Sequence, residues 1–248
     1  MKKKLLYAGD TSLGTAAGYL GGILTHEKLP FDYIPSDQPI VPALTGAEYA
    51  LYIISDYPVN SWRPGDFQTV LRAVKGGSGL LMIGGWESFH GAAGEYHDSP
   101  LAEALPVKMQ SSDDRVQSRL PWVLQPTCEH PITAGLPFDQ PPTVGGFNRI
   151  TPKPDAKELL RAVALEIVST GAGLTITTGP GESMLTVGSF GQGRTAALAC
   201  DVAPHWVGTF VDWGAPRIVA QTGGAESVEV GCHYLTFFAR LVRWCMGE

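Results

Sequence analysis

The stretch that decides the reading is Gly79-Leu80-Leu81-Met82-Ile83-Gly84-Gly85-Trp86-Glu87-Ser88-Phe89-His90-Gly91. Its first five residues show no polar alternation, which predicts a central parallel strand with both faces covered. The apolar run then stops at two glycines, and an indole, a carboxylate, a hydroxyl and an imidazole follow. In open α/β sheets ligands bind beyond the C-terminal ends of the strands. A glycine-flanked turn from strand to loop is also where many enzymes expose a nucleophile. Here the turn has no cysteine.

Working outward, the same alternation recurs upstream. Residues 4–9 read as a first strand, 13–26 as a helix rich in small residues, 31–34 as a second strand and 50–55 as a third. After Pro64, Phe67, Val70, Leu71 and Val74 fall at helical spacing and return the chain to the strand at Gly79. Repeated βα units predict a doubly wound, mostly parallel sheet. Downstream of Pro106 the pattern changes. Residues 106–156 are proline-rich without a long helical period, and read as an insertion of strands and ordered loops covering one end of the sheet. Residues 159–168 read as a strand, and 182–188 with 194–200 as a hairpin turning through Phe190-Gly191-Gln192-Gly193. From Gly231 onward Tyr234, Phe237, Phe238, Leu241 and Cys245 share one face of a terminal helix. We expect one α/β domain over residues 1–248.

Composition narrows the partners. The chain has 248 residues, 44% hydrophobic and 17% charged, which suits a globular protein with a sizeable core. A net charge of −6, with Lys2-Lys3-Lys4 as the only basic run, argues against a nucleic-acid partner. No stretch approaches a membrane span, and the apolar segment after the lysines ends at Gly9-Asp10, too early for a signal peptide. Cys128, Cys200, Cys232 and Cys245 form no paired motif for zinc or redox chemistry, so reduced thiols in a cytoplasmic protein are expected. The glycines at 14, 18, 21 and 22 lack dinucleotide-binding order, and Gly76-Gly77-Ser78-Gly79 is not a phosphate loop. No cofactor and no metal is signalled.

Polar groups gather where strands are expected to end: Asp10 after the first, Asp56 after the third, Trp86, Glu87, Ser88 and His90 after the fourth, and Asp201, His205 and Trp206 after the late strand. Each alone suits a helix cap or a loop contact. Together they point to one crevice. His205, within reach of Glu87 or Asp201, could act as a general base or a metal ligand, or be a structural histidine. Glu87, Asp201 and His205 are the candidate catalytic groups. Asp10, Asp56, Trp86, Ser88, His90 and Trp206 are the candidate ligand contacts.

The chain resembles the putative glutamine amidotransferase-like proteins, a branch of the class I glutamine amidotransferase-like superfamily. The resemblance is carried by Leu81-Met82-Ile83-Gly84-Gly85-Trp86 with Ser88-Phe89 and Gly91, and by Ser99-Pro100-Leu101-Ala102 to Leu105-Pro106-Val107. It continues in His130-Pro131-Ile132 to Gly135-Leu136, in Phe190-Gly191-Gln192-Gly193-Arg194, and in Asp201-Val202-Ala203-Pro204-His205-Trp206 with Trp213. It implies a flavodoxin-like sheet with additional strands. It does not carry over the glutaminase reaction, because Trp86 or Glu87 stands where the family's elbow holds cysteine, and neither attacks an amide as a thiolate does. The expectation is a small polar ligand bound at the strand ends. Two alternatives remain: a hydrolase using Glu87 or Asp201 with His205, and a homo-oligomeric assembly protein.

Overall fold

The computed structural model describes residues 4–46, 48–171 and 173–248. Strands β1 (Leu5–Gly9), β2 (Phe31–Ile34), β3 (Leu51–Ser55) and β4 (Gly79–Ile83) alternate with helices α1 (Ala17–His26), α2 (Val41–Leu44) and α3 (Pro64–Lys75). Every residue of β1, β3 and β4 is buried, as the uninterrupted apolar runs require. Helix α1 starts later than its apolar pattern suggests. Residues 12–16 are taken up in turns, and the Ala17 N–H donates to the Asp10 carbonyl at 2.9 Å, tying the helix start to the end of β1. Helix α3 begins at Pro64, where a missing N–H costs nothing, and the Arg63 N–H donates to Asp66 Oδ2 at 2.7 Å.

After α4 (Leu101–Ala104) come β5 (Val107–Lys108), β6 (Arg115–Pro126), β7 (Thr143–Asn148), β8 (Thr151–Pro152), β9 (Lys157–Thr170), β10 (Gly173–Phe190) and β11 (Gly193–Leu198). Short α5 (Pro204–Val207), strands β12 (Arg217–Ala220) and β13 (Val228–Gly231), and α6 (Cys232–Cys245) complete the chain. Among the described residues one nine-stranded sheet runs in the order β2-β1-β3-β4-β11-β10-β9-β6-β7, beside two small two-stranded sheets, β12-β13 and β5-β8. The first five strands are parallel, and each later neighbour is antiparallel. The fold is therefore mixed α/β with a large sheet whose parallel part carries the elbow.

The insertion does more than cover an end. Strands β6 and β7 extend the sheet past β9, and the Asn148 N–H at the end of β7 donates to the Ala199 carbonyl just after β11 at 2.9 Å. That bond brings the outermost strand back to the middle of the sheet. The strand expected over 159–168 runs from Lys157 to Thr170, and the hairpin strand expected from 182 begins at Gly173. The alternation of Thr and aliphatic residues over 173–178 is a strand signal interrupted by the sequence Gly179-Pro180-Gly181, and the pairing register shifts there between Thr178 and Gly181.

The buried residues form one continuous core from Leu5 to Cys245. Helix α6 buries its aromatic stripe in it, and Leu235, Phe237, Phe238 and Leu241 each contribute about 1.5–3 kcal/mol of apolar burial. Phe210 lies edge-on to Tyr234 and Phe237, with ring centroids 5.1 and 5.2 Å away. No helix among the described residues is long and apolar enough to cross a membrane.

Candidate functional site

The C-terminal ends of β1, β3, β4 and β11 lie side by side, so Asp10, Asp56, the residues after Ile83, and Asp201 meet at one edge of the sheet. The backbone there is strained. Asp10, Thr11, Asp56 and Phe89 adopt left-handed conformations, with φ of 52°, 61°, 47° and 52°. Such conformations in non-glycine residues cost free energy and gather at functional sites.

Asp10 is buried. Its Oδ2 accepts a hydrogen bond from the Tyr7 hydroxyl, whereas among the described residues Oδ1 makes no well-formed hydrogen bond and has the buried Ser55 hydroxyl close enough to favour its charged form. Burial pushes the Asp10 carboxyl well above the usual range, and the charges of Asp201 and Asp56 push it further. Asp201 is also buried. Its Oδ1 accepts the Val202 and Ala203 N–H groups at 2.5 and 3.0 Å, and its Oδ2 lies 3.3 Å from His205 Nε2. Burial raises the Asp201 carboxyl too, against those two N–H groups. Asp56 is pushed up to about 7, first by burial, which outweighs the N–H bond from Glu87, and then by repulsion from Asp201. Three carboxyl groups on three strands thus resist ionisation because each is desolvated and two of them feel their neighbours. His205 is half exposed and is the solvent-facing partner of the set.

The elbow is built by close approach. A Cβ on Gly84 would stand 1.9 Å from the Ala199 carbonyl oxygen, which leaves room for glycine alone, and one on Gly85 would stand 2.5 Å from Asp56 Oδ1 and would have to displace that carboxylate. Asn148 fixes the turn from the far side. Its Oδ1 accepts the Gly85 N–H at 2.9 Å, and its Nδ2 donates to the Gly85 carbonyl at 3.1 Å and to Asp114 Oδ1 at 2.7 Å. Asp114 accepts the N–H groups of His90 and Gly91 at 3.0 and 2.9 Å. Both side chains are buried.

The sequence-predicted residues divide accordingly. Asp10, Asp56, Asp201 and His205 come together, and Glu87 joins them through its backbone N–H, which donates to Asp56. Burial raises the Glu87 carboxyl. Trp86 is 45% exposed at the rim, with the Arg115 guanidinium 4.7 Å from its ring centroid. Ser88 is a positioning residue, since its buried Oγ accepts the Asp56 N–H at 2.9 Å. His90 turns to His97, with the two Nδ1 atoms 3.0 Å apart, and not to the carboxylates. Trp206 is 2% exposed and its indole packs under β7, where a Cβ on Gly146 would lie 2.6 Å from the ring. Its burial explains why β7 carries glycine at that point.

Tyr7, Asp114, Arg115 and Asn148 escaped the sequence reading. Tyr7 sits inside a strand that reads as pure core, and Asn148 ends a strand distant in sequence from the elbow it holds. Among the described residues no group of three or more His, Cys, Asp or Glu side chains is arranged to hold a metal ion. The four cysteines lie elsewhere than in the turn, and burial pushes the Cys200 thiol far up, which suppresses its thiolate.

A family described as putative glutamine amidotransferase (GATase1-like) matches residues 37–219. No curated protein matches the chain. Two solved structures from Salmonella typhimurium superpose with a TM-score of 0.72 each. The cytoplasmic protein STM3548 is 24% identical, with 98% of this chain and 98% of that one covered, and the cytoplasmic protein STM1381 of strain LT2 is 25% identical, with 98% and 99% covered. The carbohydrate deacetylase Agd3 shares 11% identity at a TM-score of 0.51, over 79% of this chain and 29% of that one, a likeness of fold alone.

Proposed function

The chain belongs to the putative glutamine amidotransferase (GATase1-like) family, and we propose that it binds a small polar ligand at the carboxylate cluster and has no glutaminase activity. The observation that supports this reading is the buried Asp10 carboxyl, whose Oδ1 makes no well-formed hydrogen bond among the described residues and has the Ser55 hydroxyl beside it, next to Asp56 and Asp201. A native protein rarely leaves such an atom unpaired, because the desolvation goes uncompensated. A ligand hydroxyl, amide or ammonium group would supply the missing donor. Carboxyl groups that resist ionisation are hydrogen-bonding partners for neutral hydroxylated compounds, a cationic amine would favour their ionised form, and an anion would find no positive group among Asp10, Asp56 and Asp201. Trp86 at the rim offers an apolar ring face for the body of such a ligand.

The topology 2-1-3-4-11 of the parallel strands supports a flavodoxin-like, doubly wound core with an antiparallel extension. The similarity to two cytoplasmic Salmonella proteins supports a cytoplasmic location. The absence of a thiol from the elbow supports the lack of glutaminase action.

A second reading, an acid–base hydrolase, is favoured by the 3.3 Å approach of His205 Nε2 to Asp201 Oδ2 and by the raised Glu87 carboxyl. Asp201 would orient His205 as base, and Glu87 would serve as acid.

The test is a thermal-shift screen of polyols, sugars, amino acids and amines against wild type, Asp10→Asn and His205→Ala, followed by turnover assays on any ligand found. Ligand at 100 times its dissociation constant adds about 2.7 kcal/mol, a shift of roughly 5–11 °C for this size. A shift in wild type that weakens in Asp10→Asn supports the binding site. An equal shift in all three proteins overturns it. Hydrolysis abolished in His205→Ala establishes the second reading, and ammonia release from glutamine above a blank overturns the first.

A further inference from the structure

Strands β9 and β10 extend well beyond their neighbours. The last β6–β9 pair is Trp122 with Ala164, and β11 pairs with β10 only from Leu185 onward, so residues 165–170 and 173–178 form a two-stranded ribbon to which no other described strand pairs. It is about 20 Å long, six residues per strand. Because β9 runs in the same direction as β4, the ribbon projects from the end of the sheet that carries the elbow.

The register gives the ribbon two unlike faces. Leu174 pairs with Ser169, Ile176 with Ile167 and Thr178 with Leu165, so the four large aliphatic residues lie on one side. Glu166, Val168, Thr175 and Thr177 lie on the other. On the first side Leu174 is 73% exposed and Ile176 64%. Such alternation is the pattern of a strand with one face packed on something, and among the described residues Leu174 and Ile176 on that face stay exposed. A solitary ribbon is also marginal in water. Of the large apolar residues exposed among the described residues, Leu120, Ile167, Val168, Leu174 and Ile176 are in or beside this ribbon.

We infer that the apolar face of the ribbon is a dimerisation surface whose occupant is the same ribbon of a second copy. Charge argues for this partner. Residues 167–181 contain no charged side chain, and the charges that flank them are Glu166 and Glu182 in a chain of net charge −6. Anionic lipid or nucleic acid would be repelled, whereas two uncharged aliphatic faces are mutually complementary. Area argues for the geometry. A single ribbon face is small against the roughly 800 Å² that each partner gives to a stable complex. A tip-to-tip touch is too little, so the two ribbons lie antiparallel about a twofold axis. Each tip then reaches the other's base, where Leu120 stands two residues beyond the last β6–β9 pair. This proposal is independent of the ligand reading.

The experiment is sedimentation velocity over a concentration series on three proteins: wild type, Leu174→Glu with Ile176→Glu, and Thr175→Glu with Thr177→Glu as the opposite-face control. Wild type is expected to dimerise. The apolar-face variant should dimerise at least tenfold more weakly, and the control should be dimeric like wild type. If the apolar-face variant fails to fold, a chain with residues 166–179 replaced by Asn-Gly substitutes for it, since neither β6 nor β11 pairs with that segment. A wild type that stays monomeric at about 100 µM, ten thousand times a 10 nM affinity, overturns the inference. So does a dimer that survives either disruption, an equal loss in the control, or a monomer that cosediments with phosphatidylcholine vesicles.

Discussion

Asn148 is the side chain on which the elbow depends most, and replacing it tests the account of the turn directly. Asn148→Ala removes the donor to the Gly85 carbonyl, the acceptor of the Gly85 N–H and one donor to Asp114. Both Gly85 groups are buried and have no other partner among the described residues. Each buried group left unpaired costs about 1–3 kcal/mol. Asp114 keeps the His90 and Gly91 N–H groups, so its loss is the smaller one. The sum for the two Gly85 groups is about 2–6 kcal/mol, or a fall in Tm of roughly 4–24 °C for a chain of this length. Urea denaturation with an unchanged slope would measure it. Asn148→Asp is the sharper comparison. It keeps the acceptor for the Gly85 N–H but turns a second carboxylate oxygen towards the Gly85 carbonyl and Asp114, so it should destabilise at least as much as alanine. The backbone bond from Asn148 to Ala199 is common to all three proteins and cancels. A loss below about 1 kcal/mol in Asn148→Ala, or an Asn148→Asp as stable as wild type, would refute the role given to this side chain.

Two further outcomes follow from the carboxylate cluster and the glycines. Asp10 and Asp56 bind protons more tightly folded than unfolded, so between about pH 4, the unfolded carboxyl value, and the Asp56 value of about 7 the native state holds the extra protons and stability falls as pH rises. Asp10→Asn should flatten that fall and be more stable than wild type at pH 8, since it keeps an acceptor for Tyr7 and removes a buried charge; a steeper pH dependence in the variant would contradict the assignment. Gly85→Ala would place its Cβ 2.5 Å from Asp56 Oδ1, so it should displace that carboxylate and cost about 1–3 kcal/mol, read by denaturation, and a neutral outcome would show the approach to be looser than described.

The parallel half of the sheet was legible because its signals are local. The apolar runs of β1, β3 and β4 are buried on both faces, and helical spacing in residues 64–75 and 232–245 has one solution. The carboxylates were legible for the same reason: a strand that ends in Asp places that Asp at a known edge. What the sequence hid is everything that depends on long-range pairing. Asn148 is 63 residues from Gly85, and no local pattern links them. Trp206 looks the same in sequence whether it faces a crevice or a core, and only the return of β7 decides that it is buried. The pattern ends one strand at 168 and starts the next at 182 because Gly171, Gly173, Gly179 and Gly181 punctuate the stretch between, and punctuation by glycine is also what a loop looks like, so the β9–β10 pairing is not legible there.

The turn after β4 gathers the polar chemistry at this end of the sheet. The tight turn survives because Gly84 and Gly85 let Ala199 and Asp56 approach, and because Asn148 and Asp114 take up the backbone groups of the loop. A thiolate at the tip would need a positive surrounding to be stabilised. Burial raises the carboxyl groups of Asp10, Asp56 and Asp201 at the neighbouring strand ends, and the charged group against Trp86 is the Arg115 guanidinium, 4.7 Å from the ring centroid. On the proposed reading, the buried carboxyl groups at the strand ends are the part of the site that exchanges hydrogen bonds with a ligand, and Trp86 with Arg115 forms its rim.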